Sequence, residues 1–77
     1  MSISIKYFAS LKEEIGRSSD CLEIDKSLTA LDVWQQATGE SELLNNVLIA
    51  LNHEYVASNV MVKDGDEIAF FPPVTGG

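Results

Sequence analysis

Histidine and cysteine occur once each in these 77 residues, and cations are scarce, with five Lys and Arg against twelve Asp and Glu. Each shortage removes a class of function. One cysteine, Cys21, excludes an internal disulfide and any cysteine-rich zinc site, and fits a reducing compartment. The lone His53 rules out a His-rich metal site and, being far from Cys21 in sequence, makes a Cys/His dyad a poor reading. Asp20 and Glu23 surround Cys21 with the charge opposite to that which activates a thiolate, so the cysteine reads as structural or incidental. His53 reads as a solvated turn residue. A formal charge of -7 argues against nucleic-acid binding, which needs cations to neutralise phosphates. It suits either a partner with a basic surface or nothing more than solubility. No apolar run approaches membrane-spanning length, and Ser2, Ser4 and Lys6 interrupt the first segment, so neither leader nor span is expected and the protein should be cytoplasmic. No Gly-rich phosphate loop follows a strand. Asp64-Gly65-Asp66-Glu67 is too short for a calcium loop. The internal residues therefore offer no complete active site, no metal site and no bound cofactor.

What is present is pattern. Ser2 to Phe8 alternates with period two, placing Ile3, Ile5 and Tyr7 on one face and Ser2, Ser4, Lys6 and, against the trend, Phe8 on the other. Ala9 to Ile15 has helical composition, with Leu11 and Ile15 four apart, and Gly16 stops it. Cys21 to Ile24 alternates again with Leu22 and Ile24 inward. Thr29 is an N-cap with Asp32 three residues on, Leu28 and Val33 form a hydrophobic staple, and Gly39 closes a helix from Ala30 to about Thr38. Val47 to Leu51 is a strand-length apolar run, Asn52-His53 a turn, and Glu54 to Val56 a short strand. Val60 and Val62 suit a brief extended piece. Lys63 to Asp66 is a turn before a last strand, Glu67 to Phe71.

One domain with one small core follows from this length, since so short a chain buries only about 60% of its unfolded surface. The order of elements fits an α+β, β-grasp (ubiquitin-like) fold: a mixed sheet of four to five strands with one main helix packed across it. First and last strands are expected to be parallel neighbours at the sheet centre. The domain spans residues 1–71, and residues 72–77 form a flexible tail expected to order only when a partner encloses it. If Ile68 and Phe70 face the core, Phe71 shares the outer face with Phe8, and the two rings should meet near the tail, with Tyr55 a candidate third member. Exposed clustered aromatics on so small a protein mark a binding surface.

The tail itself, Pro72-Pro73-Val74-Thr75-Gly76-Gly77, ends in two residues without side chains. Taken alone, such an end is also what a frayed terminus looks like. The join decides: the apolar run Ile68-Ala69-Phe70-Phe71 passes straight into a stiff Pro-Pro pair that favours an extended path, so the tail is anchored to a core strand without a floppy linker. An unobstructed acyl carbon on Gly77, preceded by Gly76, can enter a channel too narrow for any Cβ. A carboxylate is a poor electrophile and needs a partner to activate it. Joining it to AMP from ATP supplies a leaving group, after which a sulfur donor gives a thiocarboxylate or a lysine gives an amide.

The strand ending Tyr7-Phe8-Ala9, together with the closing Asp64-Gly65-Asp66-Glu67-Ile68-Ala69-Phe70-Phe71-Pro72-Pro73-Val74-Thr75-Gly76-Gly77, resembles the small-subunit family of molybdopterin synthase. The resemblance covers the whole length in layout and is specific over the last fourteen residues. It implies a sulfur carrier, a cosubstrate with no catalytic centre of its own. Its Gly77 would be adenylated by an E1-like enzyme that uses ATP, and sulfur would come from a donor such as a cysteine desulfurase or rhodanese-type protein. The thiocarboxylate would then enter the large synthase subunit and build the dithiolene of molybdopterin from cyclic pyranopterin monophosphate, in a heterotetramer. Phe8, Tyr55, Phe71, Pro72, Pro73, Val74 and Thr75 would contact partners. Carriers for thiamine, cysteine or tRNA thiolation, and ubiquitin-like modifiers, share such endings, so the tail alone does not choose the acceptor.

Overall fold

A computed structural model describes residues 2–42 and 47–72 of the chain. Its elements are β1 (Ser2–Tyr7), α1 (Ser10–Ile15), β2 (Ser19–Glu23), β3 (Leu28–Thr29), α2 (Ala30–Thr38), β4 (Leu48–Leu51), β5 (Glu54–Val56), β6 (Met61–Val62) and β7 (Glu67–Phe71). The main sheet has the order β2-β1-β7-β4-β5, and β1 and β7 are parallel, with Tyr7 opposite Phe70. This is the β-grasp arrangement. The parallel pair needs a long crossover, and α2 supplies it by lying across one face.

Alternation decides which face α2 covers. Ile3, Ile5 and Tyr7 of β1, Ile68 and Phe70 of β7, and Ile49 of β4 are buried against Ala30, Val33 and Trp34 of α2. Trp34 meets Phe70 edge-on at 5.0 Å between ring centres, while Tyr7 stacks along Phe70 at 6.3 Å. Helix α2 begins where the sequence predicts: the Thr29 hydroxyl accepts from the Asp32 amide, and the Asp32 carboxylate accepts from the Thr29 amide. Gly39 ends it in the left-handed conformation, as Gly16 ends α1. In the second sheet, β3 paired with β6, the extended piece expected around Val60 and Val62 appears as β6, whereas its two-residue partner β3 carries no sequence signal.

Two carboxylates tie the end of the sheet where β1 and β7 begin: Asp64 accepts from the Ser2 amide (2.8 Å), and Asp66 orders the turn before β7. Asp66, buried, accepts from the Lys63 amide (2.9 Å) and from the Asn52 side-chain amide (3.1 Å), and Asn52 in turn accepts from the Glu67 amide (3.0 Å). The Lys63 amide, with help from Asn52 and the Lys63 ammonium, holds the Asp66 carboxyl below its usual range although burial opposes this. A depressed pKa contributes stability above the unfolded carboxylate range, and that contribution is lost as pH falls through the lower folded value. Asp66→Asn should therefore cost about 1–3 kcal/mol at pH 7 and flatten the fall in stability below about pH 4. Urea midpoints across pH 2–7 that fall in parallel for both proteins would overturn this.

Asn52 and His53 both have positive φ, 50° and 74°, between the paired residues Leu51 and Glu54. Such two-residue hairpins favour glycine at the second position. His53→Gly should raise stability by about 1 kcal/mol by removing left-handed strain. A lower unfolding midpoint would show instead that the 3.6 Å contact between His53 Nε2 and Glu67 Oε1 outweighs the strain.

Candidate functional site

The outer face of the sheet, opposite α2, is uncovered, and its apolar residues gather where β7 ends. Register explains this. Phe71 sits opposite Leu48 of β4, while Ala69 lies between Lys6 of β1 and Ala50 of β4, whose other neighbour is Tyr55 of β5. Tyr55 is 76% exposed and packs its ring against Phe71 at 5.7 Å between centres, and Phe71 is half-buried beneath it. Leu48 is 37% exposed beside them. Leu48 is missing from the sequence-based set because Val47 to Leu51 is apolar throughout and shows no alternation; only its parity with Ala50, out of phase with buried Ile49, reveals its side.

Phe8 lies on this outer face, 50% exposed. Its amide donates to the Phe70 carbonyl at 3.2 Å, continuing the ladder one residue past β1. Ala9 then turns the chain with φ 54° and ψ −133°, a conformation that L-residues adopt only under strain. Among the described residues no ring contacts Phe8, and the ring on Phe71 is that of Tyr55. Phe8 instead borders a small hollow of about 70 Å³ with Lys6, Ala50, His53, Glu67 and Ala69, and a larger one of about 230 Å³ with Lys6, Tyr7, Ala9, Lys12, Ser18 and Ser19. The expected pairing of Phe8 with Phe71 is thus replaced by two neighbouring apolar spots on one face.

Pro72 follows β7 directly and is half-buried. The predicted residues Pro73, Val74, Thr75, Gly76 and Gly77 lie outside the described residues. The central strand therefore delivers the chain to the edge of the exposed aromatic surface.

Behind that surface the chemistry is structural. The Tyr7 hydroxyl donates to Asp20 (3.0 Å), and burial, reinforced by the Asp20 carboxylate, pushes its pKa up to about 12, so it remains a neutral donor. Arg17 donates to Asp20 and to the Ala37 carbonyl (2.6 Å), joining β2 to the last turn of α2. Cys21 is exposed on β2. Among the described residues no three His, Cys, Asp or Glu side chains cluster as a metal site, and no helix is long and apolar enough to cross a membrane.

Residues 5–77 match the model of the ThiS family. A curated relative from Haemophilus influenzae, a molybdopterin synthase sulfur carrier subunit, is 36% identical over 97% of this chain and 99% of its own length. The crystal structure of the small archaeal modifier protein SAMP1 from Haloferax volcanii superposes with a TM-score of 0.79 at 30% identity, covering both chains completely. One chain of a complex of subunits 1 and 2 of the molybdopterin-converting factor from Helicobacter pylori matches with a TM-score of 0.63 at 28% identity, over the whole of this chain and of that one.

Proposed function

This chain belongs to the ThiS family, and we propose that it is the sulfur carrier subunit of a molybdopterin synthase. The observation that carries the reading is the exit of the central strand β7 at Pro72 beside an exposed surface of Phe71, Tyr55, Leu48 and Phe8. A partner that grips this surface receives the residues that follow.

The chemistry then belongs to Gly77. Its carboxylate attacks the α-phosphate of ATP in the site of an E1-like partner, releasing pyrophosphate and leaving a mixed anhydride whose AMP is a good leaving group. The outer sulfur of a persulfide on a sulfur donor, such as a cysteine desulfurase or rhodanese-type protein, displaces AMP to give an acyl disulfide. A second thiol then attacks the donor-side sulfur, leaving the donor in a disulfide and releasing the thiocarboxylate. That soft nucleophile enters the large synthase subunit and adds sulfur to cyclic pyranopterin monophosphate. The chain contributes no cofactor of its own; Gly76 and Gly77 keep the path to the acyl carbon free of side chains. Partnership with the large subunit is supported by the two-subunit complex from Helicobacter pylori, and the assembly proposed is a heterotetramer with two carriers flanking a dimer of large subunits.

The resemblance to an archaeal modifier protein favours one second reading, in which a lysine captures the same adenylate as an isopeptide. Intact-mass spectrometry separates the two. Incubation with the activating enzyme, ATP and a sulfur donor should replace one terminal oxygen by sulfur, and the product should convert cyclic pyranopterin monophosphate when the large subunit is added. Isopeptide adducts without a thiocarboxylate would overturn the proposal, and a thiocarboxylate that the large subunit does not consume would move the chain to a thiamine, cysteine or tRNA pathway.

A further inference from the structure

The few cations are not spread evenly. Arg17 pairs with Asp20, and Lys63 lies 3.9 Å from Asp66. Lys6 and Lys12 are exposed, and among the described residues neither ammonium has a carboxylate within ion-pairing distance. Both line the 230 Å³ hollow beside Phe8, whose other walls are Tyr7, Ala9, Ser18 and Ser19. Lys6 also lines the smaller hollow on the sheet face, so the half-exposed Phe8 ring has a lysine shared between its two neighbouring recesses. On α1, Lys12 lines the Phe8 side and Glu14 lines a separate hollow with Arg17 and Trp34, while the exposed Glu13 lines neither. Glu67 and His53, 3.6 Å from each other, line the smaller hollow together with Lys6.

In a chain of net charge -7, two ammonium groups without a carboxylate partner line one hollow beside an exposed ring. Most of this molecule attracts a basic surface, whereas the two lysines at this hollow favour an acidic group. We infer that the Lys6–Lys12 hollow is the charge-reading half of the docking surface and takes Asp or Glu side chains of the protein partner, seated next to the apolar contact made by Phe8. Mixed sign at an interface fixes orientation and rejects wrong partners, because a like charge placed there costs affinity. The occupant is a protein carboxylate and not a free phosphate: both lysines are exposed at the rim of an apolar surface, the Tyr7 hydroxyl is already given to Asp20 and leaves Ser18 and Ser19 as the free hydroxyls of the lining, and the shape is an open hollow beside a ring. This inference rests on the docking role proposed above.

The test uses the full chain and the large synthase subunit of the same organism. Lys6→Glu combined with Lys12→Glu should weaken association at least about ten-fold at low ionic strength, mainly through the on-rate, with the deficit shrinking as salt rises. Lys26→Glu with Lys63→Glu, an equal change in net charge elsewhere, should weaken it far less. Carbodiimide coupling of the wild-type complex should join Lys6 or Lys12 to an Asp or Glu of the large subunit, read by peptide mass spectrometry. Equal weakening by the two double variants, or crosslinks confined to other lysines, would overturn the inference while leaving the carrier role standing. So would saturation of the Lys6 and Lys12 signals by submillimolar inorganic phosphate, which would make the hollow a phosphate site. If wild-type protein fails to bind the large subunit at all, the docking role falls, and the inference falls with it.

Discussion

Extending the chain by one residue beyond Gly77, or replacing Gly76 by a bulky residue, is expected to abolish sulfur transfer and leave folding untouched. Adenylation needs a carboxylate at a fixed distance from the α-phosphate, and an added residue moves that group past the reacting position. A side chain at Gly76 brings a Cβ into a channel that only glycine fits, and the permissive backbone is lost as well. Misplacement of about 1 Å at a reacting centre already costs on the order of a hundred-fold in rate. Folding is spared because the buried core among the described residues closes at Phe70, before Pro72. The measurement is intact mass after incubation with activating enzyme, ATP and sulfur donor, beside a thermal melt. A Gly77 extension that still forms thiocarboxylate at the wild-type rate would remove Gly77 from the chemistry.

How much of this was legible in the sequence depended on whether a residue's role is local. The Thr29–Asp32 capping box, the left-handed glycines at 16 and 39 and the Asn52-His53 turn are set by neighbours within a few residues, and all stand where the pattern places them. Strand parity was legible too, since Ile3, Ile5 and Tyr7 are buried and Phe8 is not. What failed to show was set by distant partners. Strand β2 begins at Ser19, earlier than its alternation suggests, because Ser19 and Asp20 are drafted by Lys6 and Ile5 across the ladder. The β3–β6 pair exists only because the turn before α2 meets the chain around Val60, whose carbonyl accepts from Ala30. The outer surface was legible in which rings face out and illegible in which rings touch. Parity gives a side of the sheet, while the strained turn at Ala9 and the register of β5 determine that Tyr55, not Phe8, covers Phe71.

Adjacent phenylalanines on β7 give the sharpest separation of folding from docking. Phe70 is fully buried between Trp34 and Tyr7, and Phe70→Ala removes a ring from the centre of the core. Such truncations cost about 3–5 kcal/mol. A domain of this size has total stability near the low end of about 5–15 kcal/mol, so the variant should be largely unfolded or close to it at 37 °C. Phe71, one residue on, is half-buried on the opposite side, and among the described residues its ring contact is Tyr55. Phe71→Ala should therefore leave the melting temperature within a few degrees of wild type while weakening the large subunit by about 1–3 kcal/mol, roughly ten- to a hundred-fold in Kd. Phe8→Ala should act in the same direction, because Phe8 is half-exposed beside the lysine-lined hollow and contributes no ring contact to the core. Thermal melts and binding titrations of the three variants decide the matter together. Loss of stability in Phe71→Ala comparable to that in Phe70→Ala, with wild-type affinity in whatever remains folded, would place Phe71 in the core and leave the outer face of the sheet without its anchor.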